Sequence, residues 1–262
     1  MSNNEKSTGR ALHRAAQYIA AAGISCLQKE ADDSHTTLTW DNSNSAMVGR
    51  PIPAANGIAF ALNLPDFALE CRSATGEVLD TLPLQGATHD DVVGWLKRMI
   101  GQQGGDPERY RFTFHYKLDL HEDRGPFPAP EKADLMRLVQ LRKTAHQAMD
   151  AVLAVFSDKD PVRIWPHHFD SGALITLARG SDGAATSTIG IGLAIPDGMV
   201  PAHYLYVSPW KANGGAMPSK LPALTNGRWK QGEWNGALLE ADGLPVDAAR
   251  SFFQEATRAL SA

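Results

Sequence analysis

The sequence is poor in cysteine, in long apolar runs and in excess charge, and each of these absences excludes a class of protein. Cys26 and Cys71 are the only cysteines and do not form a CxxC pair, so we expect a reducing compartment rather than a disulfide framework. The longest apolar runs fall far short of the ~18 residues of a membrane-spanning helix, and residues 1–9 lack the apolar core of an export signal. A formal charge of -4 offers no general attraction to nucleic acid or anionic lipid. We therefore predict a cytoplasmic globular protein with neither as a partner.

The common catalytic motifs are also absent from the sequence. It contains no GxSxG elbow, HExxH pair, phosphate-binding loop or Asp-rich calcium loop. The run Gly190-Ile191-Gly192 lacks the third glycine of a dinucleotide fingerprint, and no predicted helix follows it. The densest chemistry lies in Trp165–Asp170 (WPHHFD), where two imidazoles, a carboxylate and two aromatic rings fall within six residues.

Apolar spacing predicts an α+β fold. Helical periodicity covers residues 8–27, 88–101 and 131–156, and a last helix follows Pro245. Alternating or short apolar segments predict strands at 35–40, 58–64, 67–71, 78–84, 110–118, 162–165, 173–178, 186–195, 203–207 and 236–240. Most connections between strands are too short for a crossover helix, so we expect mainly antiparallel sheets flanked by helices.

The order of predicted elements repeats along the chain. Residues 8–120 and 131–262 each begin with a helix and a strand ending in tryptophan, and continue through short strands. A proline-rich connector, 121–130, separates them. This order suggests an old duplication whose halves form one compact unit.

Three segments carry a family resemblance. They are the signature Trp165–Asp170, the stretch 191–210 with its Pro-Asp-Gly turn and the sequence HYLY, and the tail 221–237 with Trp229 and Trp234. Together they resemble a bacterial family of conserved proteins of unassigned function that carries the same WPHHFD signature. The resemblance covers most of the chain, the first half only in layout. It implies a globular housekeeping-type domain with a shared site, and no specific activity.

The signature supplies the candidate catalytic residues. In a strand, His168 and Asp170 would share one face while His167 and Phe169 share the other. Pro166 lacks a backbone donor, which favours an edge strand or a bend. We predict that His168 acts as a base or metal ligand and that Asp170 orients its imidazole. A purely structural role, in which both residues hold a corner through the backbone, is the competing interpretation.

A divalent metal is an alternative at the same place, although no cofactor is expected. His168 and Asp170 would need a third protein ligand, for which His203, Glu233 and Asp182 are the candidates.

Aromatic residues predict a small-molecule pocket beside the signature. Tyr204 and Tyr206 share one face of their strand, and Trp165, His167 and Trp210 complete the predicted lining. The predicted ligand is small and either aromatic or polar. The alternatives are a hydrolase that uses His168 and Asp170, and an interaction module whose aromatic residues cover a partner protein.

Other residues receive simpler predictions. Ser171 is a candidate nucleophile, but an Asp-Ser-Gly sequence is more typical of a turn. Gly190 and Gly192 share a strand face and invite close approach by a helix or a ligand. Arg10, Arg14 and Gln17 are assigned to the wet face of the first helix. The remaining histidines are predicted to be solvated: His13, His35, His89, His115, His121 and His146.

Overall fold

The fold is α+β, as the sequence predicts. The computed structural model describes residues 3–118, 124–214, 217–218 and 220–261. Within these residues it contains four α-helices and two antiparallel sheets, of five and six strands. No helix in the described part of the chain is both long and apolar enough to cross a membrane.

The chain divides into two compact units. The first comprises Met1–Val139 and Ile164–Phe169, and the second comprises Gln140–Arg163 and Asp170–Ala262. The division therefore differs from the predicted halves 8–120 and 131–262, because residues 131–139 and Ile164–Phe169 belong to the first unit. The WPHHFD signature is itself divided between Phe169 and Asp170.

The first unit is a meander of short strands with helices. Its elements are α1 (Asn3–Cys26), β1 (Thr39–Asp41), β2 (Ala46–Val48), β3 (Ala59–Asn63), β4 (Ala68–Arg72), β5 (Val78–Pro83) and α2 (His89–Gln102). The five strands pair in chain order, because each connection is a short turn. Helix α2 starts with a capping box, in which Thr88 accepts from the Asp91 N–H and Asp91 accepts from the Thr88 N–H.

The strand predicted at residues 110–118 is wrong, although the alternation behind it is real. Arg111, Thr113, His115 and Lys117 are exposed, while the residues between them are partly or fully buried. The segment nevertheless has no strand partner. Its start is tied to α1 instead, through Ser25 Oγ to Arg111 N at 2.9 Å and Tyr110 Oη to Tyr18 O at 3.1 Å. Alternation of apolar and polar residues indicates that one side of an extended segment is buried. A segment that packs on a helix has such a side, as a strand in a sheet does.

The predicted wet face of α1 is also wrong. Arg10 is exposed, but Arg14 and Gln17 are buried, as is every residue from Ala11 to Gly23. The helix packs near β3, and the segment from Tyr110 onward lies on another of its sides. Its polar side chains are therefore enclosed, and they bind backbone and side-chain groups there.

The second unit contains the larger sheet and the last helix. The elements after α2 are α3 (Lys132–Leu153) and β6 (Arg163–Trp165), which both cross the division, followed by β7 (Asp170–Arg179), β8 (Ala185–Ala194), β9 (Tyr204–Lys211), β10 (Arg228–Lys230), β11 (Gly236–Glu240) and α4 (Val246–Ser261). The strand order is β10-β11-β9-β8-β7-β6. Helix α4 packs against β8 and β9, and its Phe252 and Phe253 are fully buried.

Candidate functional site

The signature forms a tight turn and not a strand. Trp165 ends β6, Asp170 begins β7, and residues 166–169 make the turn between them. The Phe169 N–H donates to Trp165 O at 2.7 Å. The expected alternation of faces through the signature is therefore wrong, and the alternative of a bend at the end of the sheet is confirmed.

Two side chains of α1 hold this turn through one carbonyl group. His13 Nε2 and Gln17 Nε2 both lie on Pro166 O, at 2.8 and 2.6 Å. A carbonyl oxygen only accepts, so His13 must carry its proton on Nε2, and the two donors fill both acceptor sites of Pro166 O. Gln17 Oε1 accepts in turn from the Tyr116 hydroxyl at 2.9 Å. All these groups are buried or partly buried, so packing within the first unit fixes the conformation of the turn.

Phe169 adopts a strained conformation within this turn. Its φ is 56°, in the left-handed region that bulky side chains rarely occupy. Such a conformation costs on the order of 1–3 kcal/mol and persists only where the surroundings determine it. Here the buried ring stacks on His13 with centroids 4.8 Å apart and an interplanar angle of 8°. The support from α1 thus offsets the strain and sets the course of the turn.

The supported turn presents two histidines that touch each other. The rings of His167 and His168 lie 4.2 Å apart between centroids, so the expectation that they point to opposite faces of a strand is wrong. His168 is exposed and His167 is half-buried. Trp165 and Tyr116 pack near His167, at 6.1 and 5.5 Å between centroids. Burial, and secondarily the charge of His168, lowers the pKa of His167.

Further ionisable groups of the first unit lie around this turn. His115 is exposed as predicted, and its Nε2 is 3.1 Å from Asp33 Oδ2. Both residues act electrostatically on His167. His35, whose ring is 6.5 Å from that of His115, is buried, and burial lowers its pKa. Across the described residues, no three or more His, Cys, Asp or Glu side chains are arranged to hold a metal ion.

The second unit places Asp170 beside Tyr206, at the start of β7. The Tyr206 hydroxyl donates to Asp170 Oδ2 at 3.2 Å, and burial followed by the charge of Asp170 raises the pKa of this phenol. Gly172 and Gly192 make room for the ring. A Cβ on Gly192 would lie 2.4 Å from both Tyr206 Cζ and Ser171 O. The space predicted for a helix or a ligand at Gly192 is therefore filled by Tyr206.

Ser171 contacts the imidazole of His146, a contact that the sequence did not predict. Arg142 Nη1 donates to Ser171 Oγ at 2.7 Å, and His146 Nε2 lies 3.0 Å from the same oxygen. Arg142 and His146 are four residues apart on α3, so they share one face of that helix. The arrangement resembles a nucleophile and its general base.

The electrostatics of this cluster favour a structural role. Burial, with the Arg142 charge as a further cause, lowers the pKa of His146 to about 3, whereas a general base works best with a pKa near the operating pH. Ser171 is fully buried and lies in a strand, not in the turn that its sequence suggested. The cluster is therefore a buried polar network that joins α3 to β7.

The remaining predicted residues of the second unit have separate surroundings. Tyr204 is buried with Val200 and Leu238, and its hydroxyl donates to Asp197 Oδ2 at 2.7 Å. His203 is buried, with Nδ1 3.5 Å from Asp242 Oδ1. The other three residues lie nearer the solvent: Glu233 and Trp210 are exposed, and Asp182 Oδ1 accepts from the Ala184 N–H within a turn.

The predicted site residues thus fall into two groups, one in each unit. Trp165, His167 and His168 belong to the first unit, whereas the other predicted residues, Asp170, His203, Tyr204, Tyr206 and Trp210, belong to the second.

The sequence reading missed the residues that support these groups. They are pairs of polar residues at helical spacing, His13 with Gln17 and Arg142 with His146. Such spacing is the one signal that could have identified them. It was assigned to solvent because polar side chains are usually exposed. Contrary to that prediction, His13, His35, His89 and His146 are buried, while His121 lies outside the described residues.

Comparisons with protein-family models, with curated proteins and with solved structures each gave no match.

Proposed function

We propose that the protein binds a small anionic ligand at the signature turn, through the imidazoles of His167 and His168. The observation that carries this proposal is the support beneath the turn. A strained Phe169 and a doubly bonded Pro166 carbonyl are held by α1, while the two imidazoles stand at the tip. Strained backbone that the surroundings determine is concentrated at functional sites.

The groups left at the tip favour an anion over other small ligands. The Pro166 carbonyl has both acceptor sites filled, and the Asp33 carboxylate lies against His115. The imidazole N–H groups of His167 and His168 are donors, and a protonated imidazole adds positive charge. A phosphate or carboxylate group accepts such hydrogen bonds, and Trp165 and Tyr116 offer an aromatic wall beside them. This ligand is one form of the small polar ligand expected from the sequence.

The other functions considered have less support. In a hydrolase that uses His168 and Asp170, the Asp170 carboxylate would orient the His168 imidazole, whereas its Oδ2 accepts from the Tyr206 hydroxyl. The serine-histidine contact in the second unit has a histidine too weakly basic for the task. Membership of the bacterial WPHHFD family remains a proposal that lends no activity of its own.

The proposal is tested by following the histidine Cε1–Hε1 NMR signals during titration with sodium phosphate or sodium citrate. We expect the signals of His167 and His168 to shift with saturation, because both rings face the anion. His168→Gln should weaken binding at least tenfold, since an amide cannot carry the positive charge that strengthens hydrogen bonds from an imidazole to an anion. Sodium chloride at matched ionic strength serves as the control, and the buried His146 serves as the internal reference. Equal binding by His168→Gln and the parent would contradict the proposal.

Loss of the support should affect both stability and binding. Gln17→Leu removes a donor to Pro166 O and leaves the Tyr116 hydroxyl without its acceptor, so we expect a loss of about 1–3 kcal/mol in the free energy of unfolding. Urea denaturation measures this change. Anion affinity should fall although both imidazoles remain. Gln140→Leu, at an exposed position of α3, is the matched control and should change stability by less than about 0.5 kcal/mol.

A further inference from the structure

A second surface of the molecule lies on the central strands of the larger sheet, within the second unit. Side chains of β7, β8 and β9 alternate between two faces. One face is buried and apolar, with Ile175, Ile189, Ile191 and Val207 completely enclosed. The opposite face contains two adjacent cross-strand rows, Leu174–Gly190–Ser208 and Thr176–Thr188–Trp210. We call these six residues the open face.

Two large apolar side chains of the open face are accessible to solvent. Leu174, in the middle of β7, is 47% exposed, and Trp210, near the end of β9, is 52% exposed. Tyr206 lies on the same side of β9, four residues before Trp210, which corresponds to about 13 Å along the strand. We call the part of this face between Tyr206 and Trp210, which contains Ser208 and Gly190, the bay.

Gly190 lies at the floor of this bay, and packing does not require a glycine at this position. At Gly192, two residues along the same strand, a Cβ would collide with Tyr206, so the fold requires glycine there. At Gly190 the nearest atom to an added Cβ is Ser208 Oγ at 3.4 Å, an ordinary contact, and its φ is not in the left-handed region. Glycine in a strand weakens it, and often marks the place where a ligand approaches the backbone. Because Gly190 has no side chain, it leaves the backbone of β8 open to a ligand at the floor of the bay.

The chemistry of the open face indicates an uncharged ring with hydroxyl groups at its edge. All six residues are uncharged, so the surface selects neither an anion nor a cation. Trp210 and Leu174 offer apolar area, and the partly exposed Ser208 and Thr176 offer hydroxyls that both donate and accept, whereas Thr188 is buried. Aromatic walls with a few polar groups are typical of small-ligand sites.

We infer that the open face binds the ring of a neutral sugar, with Trp210 against the apolar side of the ring and the serine and threonine hydroxyls at its edge. This site is separate from the signature turn and does not depend on anion binding there.

The test uses ¹⁹F NMR of the full chain labelled with 5-fluorotryptophan. The signal of Trp210 among the six tryptophans is identified by its loss in Trp210→Phe. Cellobiose and maltose are the probes, and glucuronate and p-nitrophenol are the charged and aromatic comparators. We expect a saturable shift of the Trp210 signal with at least one neutral sugar, and at least tenfold weaker binding of both comparators.

Two variants make the test specific to the bay. Gly190→Val raises the floor and should weaken sugar binding at least tenfold, while Gly190→Ala, the smaller change, should weaken it less. Ser208→Ala, which adds no volume, tests the edge independently if Gly190→Val fails to fold. The inference is overturned if no neutral sugar shifts the Trp210 signal, if p-nitrophenol binds more tightly than the sugars, or if neither Gly190→Val nor Ser208→Ala weakens binding.

Discussion

Gly192→Ala should lower the free energy of unfolding by about 3 kcal/mol, at the upper end of the usual range for overpacking a core. The added Cβ would lie 2.4 Å from the Ser171 carbonyl oxygen and from Tyr206 Cζ. The first of these atoms is strand backbone and cannot move without breaking the β7–β8 ladder. The second belongs to a phenol whose hydroxyl is bound to Asp170. Either displacement therefore breaks an existing interaction.

Gly190→Ala provides the matched control for this prediction. It lies two residues away on the same strand and the same face, but its new Cβ meets only ordinary contacts. Removing a glycine from a strand reduces the entropy of the unfolded chain, so we expect a gain of roughly 0.5 kcal/mol. Urea denaturation of both variants measures the difference. Similar stabilities for the two would show that Tyr206 does not occupy the space above Gly192.

Acid should destabilise the protein through His146, and this is the second large effect. The pKa of His146 is lowered to about 3 in the folded protein, against about 6.5 for an unfolded chain. Between these two pKa values the unfolded state binds a proton that the folded state does not bind. The free energy of unfolding therefore falls as the pH falls. The contribution is fully present above pH 6.5. It is lost progressively below that, by about 2 kcal/mol between pH 6.5 and 4.5.

His146→Gln isolates this contribution from those of the other buried histidines. Glutamine can still hydrogen-bond to Ser171 but does not titrate, so the variant should lose less stability than the parent between pH 6.5 and 4.5. Gln140→Leu, which replaces an exposed residue and removes no titrating group, is the control and should follow the parent curve. Urea denaturation at half-unit pH steps measures all three curves. Parallel curves for the parent and His146→Gln would exclude His146 as the source of acid sensitivity.

The elements of this fold were predictable wherever a local pattern was sufficient. The Thr88–Asp91 capping box begins α2, and the strand predicted at 236–240 has the same bounds in the structure. Three short apolar runs in the first half became β3, β4 and β5. By contrast, β2 was missed because its three residues are too few to show a period. Residues 110–118 were misassigned because alternation does not identify the neighbour against which a chain packs.

The site shows the same division between local and distant information. The composition of WPHHFD singled out the place, and Pro166 alone suggested a bend there. The sequence could not indicate that His13 and Gln17 cross more than a hundred residues of chain to bind the Pro166 carbonyl. Nor could it indicate that Arg142 and His146 are buried against Ser171.

The sequence by itself thus determined the α+β class, most helices and strands, and the segment where chemistry is concentrated, because each depends on residues close together in the chain. Only the tertiary structure decided which polar side chains are buried and which histidines lie at the turn with access to solvent. It also paired the Asp170 carboxylate with the Tyr206 hydroxyl. Burial depends on which distant segments pack over a residue. A short sequence pattern carries no information about those segments.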